Sequence, residues 1–334
     1  MRSTGAVGTI ARLLLLAACA MAAASAQAAK GSKGAKAPAY QFGVIGHSFK
    51  NGGDEAQLRR AIVDTGSDAL AFVVATGIKG PEEPCSDTLY AARRALFDEA
   101  ERPTIVAPAA SDWSMCSNSE GRTIAVERLN RLRELFYTDA SSLGAHKLAL
   151  TRLSNSRKFR GYAENAYWES GKVLYATINL PANNNHFRPE AGRNSEFEDR
   201  LVANRAWLNR LLALAQGKRF EGMVLFSDGD ALARPAPGPH KRDGYAETRH
   251  LIEALGQKFG GKLLLVDCAE AAHGGAPEIK WHANIGHLSV GSAVVALKVA
   301  PGAPALFTLA PPPADLPPAQ EKSASLSRNA LRSN

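Results

Sequence analysis

Short apolar runs and amphipathic segments alternate along the chain from Tyr40 onward, the pattern of successive strand and helix units. The runs "YQFGVIG" from Tyr40, "ALAFVVAT" from Ala69, "PTIVAPA" from Pro103, "KVLYATINL" from Lys172, "GMVLFSD" from Gly222 and "KLLLVDC" from Lys262 predict buried strands. Helices are predicted near 54–65, 86–100, 121–138, 195–216 and 244–258. The third carries Ile124, Leu129, Leu132, Leu135 and Phe136 on one apolar face. From "EIKWHANIGHLSV" the helical spacing stops, and "SAVVALKVA" and "ALFTLA" predict further strands that close the domain as a second sheet or an antiparallel edge. The fold class is α/β.

The ends of the chain follow other rules. The first thirty residues hold two arginines and no acid, then an apolar run from Leu13 and the small-residue pattern Ala26-Gln27-Ala28, which predicts a signal peptide over 1–28. Leu16-Ala17-Ala18-Cys19 also fits a lipoprotein cleavage box, although apolar and small residues continue past Cys19. A Lys/Gly/Ala spacer over 29–39 leads to a folded region at 40–310. The tail 311–334 is Pro- and Ser-rich, a composition that predicts disorder. No later stretch approaches the roughly eighteen consecutive apolar residues of a membrane span, so the expectation is an exported protein, periplasmic or extracellular, with no transmembrane segment.

The formal charge of +8 shrinks on inspection. Residues 1–36 hold five Lys/Arg and no acid, while 37–310 hold 32 Lys/Arg against 30 acids. A folded region this close to neutral argues against a nucleic-acid partner. Past the signal segment lie Cys85, Cys116 and Cys268. Cys85 and Cys116 each sit in a polar loop after a predicted strand and form a candidate disulfide. Three unpaired thiols are the other reading, since spacing leaves connectivity open. Cys268, at the end of an apolar run, reads as a small buried hydrophobe.

Ligands of open α/β sheets collect beyond the carboxyl ends of the strands. Those ends offer His47 and Ser48; Thr76 and Lys79; Ser111, Asp112 and Trp113; Asn183, Asn184 and Asn185; Ser227, Asp228 and Asp230; then Asp267 and His273. No Gly-Lys-Ser phosphate loop, dinucleotide fingerprint, CxxC pair or His-Glu-x-x-His is present.

These ends, in this order, resemble the calcineurin-like metallophosphoesterases, particularly an exported bacterial branch. The resemblance runs through "FGVIGHS", "FVVATGIKGPEEPCSD", "PTIVAPAASDWSMC", "YAENAYWESGKVLYATINLPANNNHF" and "ANRAWLNRLLALA", over about residues 40–230. It implies a β-sandwich of two mixed sheets flanked by helices, with two metal ions at the strand ends that activate water and hold a phosphate. Several ligand positions depart from that pattern. His47 follows Gly46 where an Asp is expected. The second strand passes from Gly77 to Ile78 where a metal-bridging Asp is expected. The third motif reads Ala109-Ala110-Ser111-Asp112, and "LLLVDCAEAAHGG" supplies only Asp267, Glu270 and His273. Two dications about 3.5–4 Å apart without a bridging anion repel by on the order of 16 to 19 kcal/mol at an effective dielectric of about 20, before other ligands and water respond.

The resemblance therefore implies a phosphoesterase fold with weak or no hydrolysis and a binding or scaffolding role. A phosphorylated small molecule or an envelope protein is the partner that role suggests. An active enzyme with a remodelled mononuclear site is the alternative. His47, Asp112 and Asp267 would then hold one Zn, Mn or Fe ion, with His273 completing the set, and Asp112 and His273 are its catalytic candidates. Lys79 and Asn184 are the candidate substrate or anion contacts. A serine esterase using Ser48 is a further alternative, although Lys50 stands where the last glycine of Gly-x-Ser-x-Gly should be. Each residue also has a structural reading: His47 as a loop cap, Asp112 as a carboxylate orienting backbone amides, and the asparagine run as a tight loop, since Asn tolerates left-handed angles. His282 and His287 receive no role.

Overall fold

Strand β1 (Tyr40–Ile45) opens a chain of twelve strands and six α-helices among the described residues. The computed structural model describes residues 37–188, 192, 194–234, 242–269 and 275–311. The expected signal peptide with Cys19, the spacer as far as Lys36, the tail from 312 and the candidate His273 lie outside them.

One sheet has five strands, in the order β12 (Phe307–Leu309), β11 (Val294–Val299), β1, β2 (Leu70–Thr76) and β3 (Thr104–Ala107). The other has seven: β4 (Thr151–Arg152), β5 (Ala166–Ser170), β6 (Val173–Thr177), β7 (Gly222–Phe226), β8 (Lys262–Asp267), β10 (Ile285–Ser289) and β9 (Lys280–His282). Both are mixed. Strands β1, β2 and β3 run parallel, with β11 antiparallel to β1. Strands β6, β7, β8 and β10 run parallel between antiparallel edges.

Period-two alternation explains the layers. Phe42, Val44, Phe72 and Val74 share a core with Tyr175, Val224, Phe226, Leu264 and Val266 of the other sheet. Phe42 stacks on Phe72 at 5.2 Å between centroids and meets Phe226 edge-on at 6.0 Å. The opposite parity of the first sheet, with Ile45, Val73 and Ala75, packs on helices α1 (Glu55–Asp64), α2 (Asp87–Asp98) and α4 (Ala125–Phe136) through Leu58, Tyr90, Phe97, Leu129 and Leu132. Leu174, Met223, Leu225 and Leu263 pack instead on α5 (Ser195–Gly217) and α6 (Ala246–Lys258) through Trp207, Leu211 and Ile252. The architecture is two mixed sheets face to face, with helices on both outer faces. Strands buried on both sides need continuous apolar sequence, which is why they read so clearly.

One expectation needs correction. Strands β4 and β5 had not been expected; β5 forms a hairpin with β6 across Gly171, and its aromatic Trp168 fills the inter-sheet core. Of the two alternatives for the late strands, the antiparallel edge is the one found, at β11 and β12 in one sheet and β9 in the other. Strand β10 adds parallel to β8, whereas β11 and β12 extend the first sheet, because Leu288 on one side and Leu297 and Val299 on the other all reach the shared core.

Candidate functional site

The loops after β1, β2, β3, β6 and β7 converge on a cavity of about 510 Å3. His47, Phe49, Lys50, Ser111, Asn183 and Asp228 are among its lining residues. Its shape depends on what each loop does with its polar groups.

Gly77 follows β2 with φ +76, and a Cβ there would lie 2.7 Å from the His47 ring, so only glycine fits. The turn sends Ile78 into the core beneath α1 and α2, fully buried and away from the cavity. The carboxylate of Asp112, in the short helix α3 (Ala110–Trp113), receives the Ile78 amide at 2.9 Å, the Lys79 amide at 3.3 Å and the Ala109 amide at 2.7 Å. Burial is the main influence on this group and pushes its pKa up to about 7, against the opposing pull of the Ala109 and Ile78 amides. Asp112 has no exposed surface and holds two loops together.

Lys79 does not take the expected place of an anion contact. It is 1 % exposed, and its ammonium donates to the carbonyls of Gly80 (2.6 Å) and Ser111 (2.9 Å). Asn184 is likewise occupied: its amide oxygen accepts from Gly244 N at 2.9 Å and its Nδ2 donates to Arg242 O at 3.1 Å. Asn184, Asn185 and His186 all take left-handed backbone angles, φ 53 to 55. Such a run is costly for non-glycine residues and is held by side chains. The guanidinium of the fully buried Arg200 donates to Asn185 Oδ1 and, at 2.9 Å, to Asn185 O, and it is paired with Glu196 at 2.7 Å.

His47 Nε2 lies 2.9 Å from Ser111 Oγ, and that hydroxyl donates to Lys79 O at 2.8 Å. A hydroxyl has one proton, so His47 is the donor to Ser111 and its Nδ1, buried without a partner, is left as a lone pair. Burial, the largest influence, lowers the His47 pKa, which keeps the ring neutral. Asp228 is 1 % exposed and accepts on Oδ2 from Ala110 N (2.7 Å) and Ala182 N (2.8 Å), joining the loops after β3 and β6. Ser48 is buried, and among the described residues no histidine or carboxylate hydrogen-bonds to it.

Asp267 joins a different group from His47 and Asp112. Its Oδ2 lies 2.6 Å from His287 Nε2, and its Oδ1 accepts from Ser289 Oγ at 3.0 Å and Ala269 N at 2.9 Å. Asp230 Oδ1 stands 3.4 Å from the same His287 nitrogen. One ligand atom from each of Asp230, Asp267 and His287 falls within 4.8 Å of the others, a set that could hold a single Zn or Mn ion. The sequence carried a signal for this group in the alternation of His287 and Ser289, which puts both on one face of β10; the parallel register then sets Ser289 opposite Asp267.

No protein-family model matches this chain, and no curated protein matches it at a significant level. The donor set must therefore be judged by itself. A dinuclear metal centre does not fit it. Ile78 has no donor atom, the Asp112 carboxylate faces three amides, one Asp228 oxygen faces two more, and His47 is bonded through Nε2 to Ser111. Cys85 and Cys116 are joined by a disulfide with Cα atoms 6.0 Å apart, tying the loop after β2 to the segment after α3; Cys268 is free and buried. In the chain-entropy account, a closed loop of this length is worth about 3–4 kcal/mol. The disulfide suits an exported protein, and among the described residues no helix is long and apolar enough to cross a membrane.

The His287 group makes a pH-dependent prediction. Burial alone would lower the His287 pKa, but the hydrogen bond and charge of Asp267, with the charge of Asp230, outweigh both burial and Lys280 and raise it. The resulting stabilisation is fully present below the unfolded value of about 6.5 and is lost as pH rises through the higher folded value. In chelator-treated buffer, the stability advantage of the protein over H287Q is expected to be larger at pH 6 than at pH 8.5 in urea unfolding. An advantage independent of pH would contradict this account.

Proposed function

We propose that this chain is an exported member of the calcineurin-like metallophosphoesterase superfamily that has lost the two-metal centre, and that it works by binding at the strand-end cavity rather than by hydrolysis. The observation that carries the reading is the turn at Gly77. Where the resemblance calls for a bridging aspartate, Ile78 is buried in the core, and the nearby carboxylate of Asp112 is enclosed by backbone amides. The two mixed sheets flanked by helices, and the strand ends at which the resembling motifs fall, are consistent with that superfamily. The disulfide and the signal-like first 28 residues support export.

The test is elemental analysis of disulfide-intact protein produced by secretion, followed by assays on p-nitrophenyl phosphate and bis-p-nitrophenyl phosphate with and without added Zn or Mn. No stoichiometric metal and no hydrolysis above buffer are expected. Stoichiometric metal with hydrolysis abolished by H47A would overturn the proposal. A second reading, an esterase with one metal ion, is favoured by the proximity of Asp230, Asp267 and His287. It predicts one bound ion and a slow hydrolysis, both lost in H287A.

A further inference from the structure

The cavity at the strand ends is built for a different ligand from the one its surroundings suggest. We infer that it takes a small organic cation, a primary ammonium on an apolar body, in preference to a phosphate ester. This deepens the reading of the cavity as a binding site and rests on it.

The volume of about 510 Å3 is within the range of small-ligand sites, about 300–1,000 Å3. Phe49, Pro81 and Met115 supply apolar walls, and Met115 is 54 % exposed at the opening. The charged lining consists of Asp228, Glu82 and Glu83 against Lys50. Lys50 donates its ammonium to the Cys268 carbonyl, and Glu83 is held by Gly80 N at 2.7 Å and Arg93 at 2.6 Å. Two carboxylates remain to meet a ligand.

Asp228 is the better placed of the two. Its Oδ2 is fixed by two amides, and among the described residues no donor reaches its Oδ1. His47, also in the lining, adds a buried Nδ1 lone pair without a partner. Asp228 Oδ1 is thus an acceptor without a donor at this space, and a buried acceptor without a donor costs stability that a cationic ligand would return. A phosphate would meet those same acceptors. Lys79 does not offset them, since its ammonium is turned into backbone carbonyls, which leaves Lys50 as the one cation of the described lining.

Isothermal titration of the disulfide-intact protein with phenethylamine, 2-phenylethanol and phenyl phosphate at pH 7 and low salt tests the inference. Phenethylamine is expected to bind saturably, about tenfold or more tightly than the alcohol, with phenyl phosphate weakest. D228N, with folding checked by circular dichroism, should remove most of the preference for the amine. E82Q, on an exposed side chain that leaves the fold untouched, should weaken amine binding severalfold and leave alcohol binding unchanged. Equal binding of amine and alcohol, absence of amine binding, or no effect of either substitution would overturn the inference. If nothing binds and nothing is hydrolysed, the loss of catalysis still stands and only the ligand class is wrong. Preference for phenyl phosphate with hydrolysis would overturn both.

Discussion

Replacing Asp112 with alanine is expected to lower the unfolding free energy by about 3–6 kcal/mol, since each buried donor left without an acceptor costs about 1–3 kcal/mol and the three are not independent. The amides of Ala109, Ile78 and Lys79 all end on this carboxylate, at a residue with no exposed surface. D112N should recover only part of the loss. An asparagine oxygen can serve Ile78 and Lys79, but its amide nitrogen would then face the Ala109 N–H, donor against donor. Urea unfolding with an unchanged slope would check both variants. A D112A loss below about 1 kcal/mol, the net worth of one ordinary hydrogen bond, would show that the carboxylate is not the anchor of the turn.

R200M is expected to cost about 3–5 kcal/mol, because removing one partner of a buried pair strands the other charge. Glu196 is the stranded group. Burial alone would raise its pKa, but Arg200 and His186 outweigh that and hold it at about 2 in the native protein. The same guanidinium donates to Asn185 O and Asn179 O and lies 5.6 Å over the Trp113 ring, so the substitution also releases the left-handed run at Asn184–His186. Asn183, which lines the cavity and bonds Ser114 Oγ at 3.0 Å, immediately precedes that run. R200M should therefore lose ligand affinity at temperatures where it is still folded. Unchanged stability, measured by thermal unfolding, would place the support of this loop elsewhere.

The elements were legible where burial on both faces forced an unbroken apolar run. Strands β2, β6, β7 and β8 are of this kind, while the five long helices were legible from the single apolar face that each packs against a sheet. Strand β5 was not, since "AYWES" is short and its identity depends on pairing with β6. The sequence also brought Cys85 and Cys116 into consideration as a pair, and the structure chose that pairing by setting the loops after β2 and β3 side by side.

The site was legible as a collection of residue types but not as a grouping. That His47, Asp112 and Asp267 all follow strands could be read from the chain; that Asp112 turns to the Gly77 loop while Asp267 turns to His287 could not. Hydrogen-bond partners are chosen among groups far apart in sequence: Asp228 bonds Ala110 across 118 positions, and Lys79 bonds the carbonyl of Ser111 across 32. The sequence alone determined that Ile78 brings no ligand to the end of β2, because a hydrocarbon side chain has no donor atom wherever it points. Only the tertiary structure decided that the Asp112 carboxylate does not take its place, because that group is held by three amides that burial leaves with no other acceptor.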